Sequence, residues 1–343
     1  MSTIKFQEKL TINVIFVKGT VEILLPFLPS LLTHSSCRFR LISNGCLLEE
    51  ATILKEFTDF NTQTVFYSLN TERILQHHEV LHNVLELEES EWFAFIDSDI
   101  VAKSQFLPAL FNALEGKDAV FTGLPLWHET YEMMMPKDFN IMGGRFVNAH
   151  NGYLLGLSYA AIYKTSGLKN FIKSSGIDLR KYRWNEIPAN YQQILNELGL
   201  KKQLYDTAKL LNILWQYEGG EMVFRNSNEL IHLGGVSGPA YQMQHTSKPR
   251  ALVSKLTPKW IFNILKRISM TINKVNQVET TDLQRLVKKR KITEALMSGL
   301  LYGTHHNFDE IDMAFLPPEM VERITIAMHE VRSIVKQSNT KPY

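Results

Sequence analysis

The chain has 343 residues, 45% of them hydrophobic and 10% aromatic, enough for one large domain with an appendage or for two modest domains. No run approaches the ~20 apolar residues of a membrane span, the first residues lack a signal peptide's apolar core, and two cysteines, Cys37 and Cys46, exclude a disulfide scaffold, so the chain reads as cytoplasmic with free thiols. The formal charge of +2 hides an asymmetry: residues 248–291 hold 12 Lys and Arg against 2 Asp and Glu, and the rest of the chain is net acidic.

Strand and helix signals alternate through the first half. The run Ile12 to Val17 predicts a first strand, and Val21 to Leu32 a helix. Arg38 to Ile42 predicts a second strand that ends in the turn Ser43-Asn44-Gly45, and Val65 to Tyr67 a short third one. A helix follows over Glu72 to Glu88, then the apolar run Trp92 to Ile96, a helix near Gln105 to Leu114, and a strand over Ala119 to Thr122. Alternation of this kind predicts an α/β fold with a mainly parallel sheet and helices on both faces. From Pro125 to Gly152 the pattern dissolves into a long irregular segment, which in a compact domain usually carries function. A helix over Thr207 to Tyr217, a strand over Glu221 to Phe224 and a Gly-rich turn at His232-Leu233-Gly234-Gly235 come next, and past Pro249 the chain reads as helical to its end.

The apolar run is closed by Asp97-Ser98-Asp99. A strand buried on both faces ends there, and the carboxyl ends of strands are where open α/β sheets bind ligands. Two carboxylates one residue apart repel each other unless a cation, or a polyphosphate with its metal, lies between them. An Asp-x-Asp by itself is a weak signal. Here it is preceded by the string Leu81 to Glu91, read as the end of an Asn-containing helix and a short polar turn, and then by the apolar strand. In that setting the chain resembles GT-A-fold nucleotide-sugar glycosyltransferases with an Asp-x-Asp motif, family-2-like ones in particular, over roughly residues 10–240.

The resemblance implies a GT-A-type, Rossmann-like catalytic domain, residues 1–247, followed by a basic helical C-terminal region, residues 248–343. It implies metal-dependent transfer of a sugar from a nucleotide donor of the UDP, GDP or dTDP type to an acceptor hydroxyl, on a glycan, a lipid-linked molecule or a small molecule. Mn2+ or Mg2+ would be the cofactor, because a hard divalent ion on carboxylate oxygens stabilises the departing diphosphate. Asp99 would ligate that ion and Asp97 would ligate it or hold the ribose, with His232 as a further ligand. Gly234 and Gly235 would let a loop close over the diphosphate. In the family's second acidic block the last acid is the general base, which maps onto Asp206 and implies inversion; the preceding acid of that block falls on Tyr205, a departure from the pattern. Asp206 equally suits the N-cap of the helix it precedes. Lys18, Gly19 and Asn44 stand after the first two strands, where the nucleotide would bind, although an Asn-Gly turn also serves its own backbone geometry. The acceptor is expected on the irregular segment with Trp127, His128, Tyr131, Arg145, His150, Asn151 and Tyr153.

Three rival readings stand beside this one. A sugar-phosphate nucleotidyltransferase also places carboxylates and Mg2+ on an α/β sheet, usually with a Gly-rich basic phosphate loop, of which Lys18-Gly19 is the one hint. His78-Glu79-Val80-Leu81-His82 matches the H-E-x-x-H zinc-protease signature but lacks a clear third ligand. A non-catalytic nucleotide-binding module is the last. In the basic tail, Ile261, Leu265, Ile268, Ile272 and Val275 form one stripe of an amphipathic helix. That stripe suits packing against the catalytic domain or against a second copy in a homodimer. Residues 255–291 also suit peripheral contact with an anionic membrane, on its inner face. Without aromatic interleaving the tail offers no nucleic-acid site.

Overall fold

The computed structural model describes residues 9–126, 148–149, 151–156, 159–235 and 318–339. In chain order its strands are β1 (Thr11–Val17), β2 (Arg38–Asn44), β3 (Thr64–Ser68), β4 (Trp92–Asp97), β5 (Ile100–Ala102), β6 (Ala119–Thr122), β7 (Ala160–Lys164), β8 (Tyr182–Arg183), β9 (Leu204–Tyr205), β10 (Met222–Phe224) and β11 (Leu230–His232). The helices are α1 (Val21–Leu24), α2 (Leu28–Thr33), α3 (Leu48–Phe60), α4 (His77–Glu86), α5 (Leu107–Leu114), α6 (Thr165–Ser175), α7 (Ala189–Glu197), α8 (Lys209–Tyr217) and α9 (Pro318–Asn339).

Seven strands form one sheet in the order β10-β6-β7-β4-β1-β2-β3. All pairs are parallel except those made by β7, which lies antiparallel between β4 and β6. Six strands therefore end on one edge of the sheet, at Val17, Asn44, Ser68, Asp97, Thr122 and Phe224, and β7 begins there beside Tyr159. The mainly parallel α/β sheet expected from the sequence is present. A second sheet of two strands pairs β11 with β5 just beyond the end of β4, with His232 opposite Ile100.

Helices cover both faces, and the strand pleat divides the apolar side chains between two cores. On one face Ile12, Val14, Ala94 and Ile96 meet α1, α2 and α5. On the other, Phe93, Phe95, Phe121 and Tyr163 meet Val80 and Val84 of α4, Leu168 of α6 and Leu214 of α8. Asn13 is the polar exception in the middle of β1, and its amide is satisfied by donating to the Ala94 carbonyl and accepting from Arg40. Helix α9 joins the first core through Ile324, Ala327, Met328 and Val331, with Lys103 3.4 Å from Glu330 beside it. The end of the expected C-terminal appendage thus shares a core with the sheet. The boundary at residues 247–248 and the basic segment 255–291 lie outside the described residues.

Three helix boundaries differ from expectation. The stretch Val21 to Leu32 is interrupted by a 3-10 turn over Leu25–Phe27, where Pro26 and Pro29 remove backbone donors. Helix α4 starts at His77 rather than Glu72, because the Asn44 side chain takes both the N–H and the carbonyl of Leu75, at 2.8 and 2.9 Å. Helix α8 starts at Lys209 rather than Thr207, because Ala208 holds a left-handed φ of +63°. Cys37 and Cys46 are free thiols. Among the described residues no helix is long and apolar enough to cross a membrane.

Candidate active site

Strand β4 ends at Asp97, and a turn carries the chain through Ser98 and Asp99 into β5. The Leu233 N–H donates to the Asp99 carbonyl at 3.1 Å, which draws the end of β11 over the turn. Ligand atoms of Asp97, Asp99 and His232 then lie within 4.8 Å of one another. The imidazole Nε2 is 3.2 Å from Asp99 Oδ1 and 3.8 Å from Asp97 Oδ2, with side chains 1%, 4% and 28% exposed for His232, Asp99 and Asp97. Asp97 is the member that faces solvent.

The three groups shift one another's charge. Burial and the adjacent Asp99 carboxylate push the Asp97 carboxyl well above the usual carboxylate range, and His232 only partly offsets them. For His232, burial favours the neutral ring, but the carboxylates of Asp99 and Asp97 outweigh it and raise its pKa. Nε2 of His232 is buried and has no well-directed hydrogen bond, whereas Nδ1 lies 2.6 Å from the Gly123 carbonyl. A buried ring nitrogen facing two carboxylates is a donor set that fits a hard or borderline divalent ion such as Mn2+ or Mg2+.

Asp206 lies on the same side of the sheet as Asp97. Phe95 and Asp97 are two residues apart and so share a face of β4. His77, at the start of α4, packs edge-on against Phe95 with ring centroids 5.9 Å apart and feels the charge of Asp206. Burial holds His77 neutral, with its pKa pushed down to about 4. The Asp206 carboxylate is 3.1 Å from Lys181 Nζ and accepts the Thr207 N–H at 2.9 Å. Burial alone would raise its pKa, but Lys181 and that hydrogen bond lower it, so Asp206 stays ionised. It does not cap α8, whose N-cap is Ala208.

The remaining expected residues fall into different environments. The Gly19 N–H is taken by Glu50 Oε1 at 2.6 Å, and the other Glu50 oxygen holds the Leu47 N–H at 2.9 Å. Lys18 is half-buried on the turn after β1, three residues past Ile15, which pairs with Asp97. Asn44 is 1% exposed and spends its amide on Leu75, so its part is to anchor the chain ahead of α4. Gly234 and Gly235 carry φ values of +83° and +81°, a left-handed turn directly after Leu233. Asn151 donates to the Leu198 carbonyl at 3.2 Å and Tyr153 packs against the second core; Trp127, His128, Tyr131, Arg145 and His150 lie outside the described residues. His78 and His82 each bury an unpartnered Nδ1, but among the described residues no third ligand joins them, so the zinc-protease reading lacks a site. Lys181, His77, Gly123 and Tyr159 were missed from the sequence. None belongs to a motif, and what gathers them is the pairing of distant strands.

No family model matches the sequence, and no curated protein matches it. Solved structures similar to the chain include an active-site mutant of LgtC, with TM-score 0.40 and 11% identity over 63% of this chain and 73% of that one. The ligand-free bifunctional glycosyltransferase WbbM gives TM-score 0.38 and 11% identity over 66% of this chain and 46% of that one. The mannosyltransferase PcManGT from Pyrobaculum calidifontis, in complex with GDP-Man and Mn2+, gives TM-score 0.41 and 10% identity over 96% and 86%. Similarity of that degree leaves the function to be argued from the site's own residues.

Proposed function

We propose that the chain is a metal-dependent glycosyltransferase that moves a sugar from a nucleoside-diphosphate donor to an acceptor hydroxyl. The observation that carries this reading is the convergence of Asp97, Asp99 and His232 at the carboxyl edge of the sheet, with a buried ring nitrogen left for a cation. A divalent ion bound there would neutralise charge that builds on the diphosphate as the glycosidic bond breaks.

The chain's own residues supply the rest of the chemistry. Asp99 and His232, both buried, are the proposed fixed ligands, and their burial strengthens their hold by excluding competing water. Asp97, the more exposed, meets the donor side. Lys18 is proposed beside the diphosphate, and Gly234 and Gly235 are proposed to give the backbone freedom that lets a loop close over it. Gly19 keeps its place by backbone geometry, since its amide is committed to Glu50. That commitment also weakens the nucleotidyltransferase reading, which needs free amides on a phosphate loop. Asp206 is the proposed base that takes the proton from the acceptor hydroxyl, which makes the transfer inverting. Its ionised state and its position on the Asp97 side support the assignment. The donor is of the UDP, GDP or dTDP class, and the acceptor a glycan, a lipid-linked molecule or a small molecule.

A thermal-shift panel of UDP, GDP, dTDP and CDP, each with and without Mn2+, tests the proposal on wild type and Asp99→Asn. Ligand at 100 times its dissociation constant adds about 2.7 kcal/mol to stability. The expected result is that one nucleotide stabilises the wild type only with Mn2+ and leaves the variant unmoved. Absence of any nucleotide shift with Mn2+ present would sink the proposal.

A further inference from the structure

We propose that Gly123 and Tyr159 are positioning residues that fix the ring of His232 and so set the metal affinity of the site, an inference that rests on the metal reading above. A histidine can offer one ring nitrogen to a cation reliably only when the other is held as an N–H donor. The Gly123 carbonyl, which can only accept, lies 2.6 Å from Nδ1. It therefore holds the proton on Nδ1 and leaves Nε2 facing Asp97 and Asp99.

Gly123 aims that carbonyl through a left-handed backbone, with φ of +78°. A Cβ added there would meet the Ala160 Cβ at 3.2 Å and the Ile100 Cδ1 at 3.3 Å. Ile100 follows Asp99 and Ala160 follows Tyr159, so a side chain at position 123 presses on both walls of the site as well as straining its own backbone. The main chain of His232 is fixed from the same loop, because the Leu126 N–H donates to the His232 carbonyl at 2.9 Å.

Tyr159 touches two of the three proposed ligands. Its carbonyl accepts the Asp97 N–H at 2.6 Å, and its ring lies 4.9 Å from the His232 ring at 53°. Gly123 thus sets which nitrogen carries the proton, and Tyr159 limits how far the imidazole tilts away from the carboxylates. The two come from the carboxyl end of β6 and the amino end of β7, which share an edge only because β7 runs antiparallel.

Two measurements on the full chain test this, and neither needs a sugar nucleotide. The first is the 1H–15N spectrum of the histidine side chains, with His232 identified by comparison with His232→Gln. An Nδ1 proton on His232 is expected both without metal and with Mg2+. An unprotonated Nδ1 would overturn the inference. The second is Mn2+ binding, read from the electron paramagnetic resonance signal of free Mn2+. Gly123→Ala is expected to weaken binding about 10–100-fold, and Tyr159→Leu to weaken it more than Tyr159→Phe, which keeps ring and carbonyl. Binding by Gly123→Ala within about two-fold of wild type would overturn the inference, given the size expected for such contacts. Should that variant not fold, equal binding by Tyr159→Leu and Tyr159→Phe overturns it. Wild type that binds no Mn2+ at all would instead bring down the metal reading itself.

Discussion

Two neighbouring parts of one sheet edge show how differently polar groups can be employed. After β1 and β2 the polar groups of Gly19, Thr20, Asn44 and Glu50 find partners within the fold. Glu50 holds the amides of Gly19 and Leu47, Thr20 donates to the Val17 carbonyl at 2.7 Å, and Asn44 brackets Leu75 from both sides. One strand away, after β4, Asp97 and Asp99 face each other across a buried imidazole whose Nε2 has no well-directed bond. The first arrangement gains its full stability from folding alone. In the second, burial and the crowding of two carboxylates are only partly offset by the imidazole of His232. Ligand binding is therefore to be sought where the fold leaves its polar groups unpaid by their own neighbours.

The sharpest way to break that contrast is at the residues assigned to chemistry. Asp206→Asn is expected to lower the transfer rate by about 10²–10⁴, the usual weight of a general base, while the Mn2+-dependent nucleotide shift survives. A variant with full transfer activity would reduce Asp206 to a structural partner of Lys181. Asp99→Asn should cost on the order of 10²–10³ in rate. Measured without metal, however, its melting temperature should equal or exceed that of the wild type, because it removes a like charge beside Asp97. A metal-free protein destabilised by this change would mean that the pair is already compensated within the fold.

At the other region the signs reverse. Asn44→Ala leaves the N–H and carbonyl of Leu75 without their partner and is expected to cost about 1–3 kcal/mol in urea denaturation. Its Mn2+ affinity should match the wild type. Loss of metal binding without loss of stability would place Asn44 in the site after all.

A further expected effect is a pH dependence at His77. Its pKa is about 4 in the fold against 6.5 for the free side chain, so between those values the unfolded chain binds the proton and the native chain does not. The contribution of His77 to stability should therefore fall as pH falls from 6.5 towards 4, while the raised pKa of Asp97 acts in the opposite direction. The low pKa of Asp206 withdraws its own support only below the ordinary carboxylate value of 3.8, so the two windows do not overlap. His77→Gln should flatten the decline, and an unchanged slope in melting temperature against pH would show that burial of this ring is not its cause.

Much of the framework is legible in the sequence. Strands β1, β4 and β6 are short, mostly apolar runs bounded by turn residues, and they lie within one or two residues of their expected ends. Their side chains face a core on both sides, so local composition carries the signal. The places where expectation missed are those where a distant group overrides local preference. A helix from Glu72 is locally reasonable until Asn44 captures Leu75. Asp206, which by its sequence suits a cap as well as a base, leaves the cap to Ala208 and pairs with Lys181. Strand β7, the residues Ala160–Lys164, has the composition of either a strand or a buried helix, and only its pairing with β4 and β6 defines it.

By itself the sequence determined that an apolar strand ends in Asp97 and Asp99 at a ligand-binding edge. That much follows from residue spacing along the chain, because periodicity and burial are local properties. Among the 11 histidines the resemblance pointed to His232, and the tertiary structure is what brings its ring beside the two carboxylates. His232 reaches Asp99 through the antiparallel pairing of β11 with β5, and its ring is oriented by a glycine carbonyl and a tyrosine from two other strands. Such a convergence depends on backbone hydrogen bonds between segments far apart in the chain, and no local pattern of side chains encodes which segments will meet.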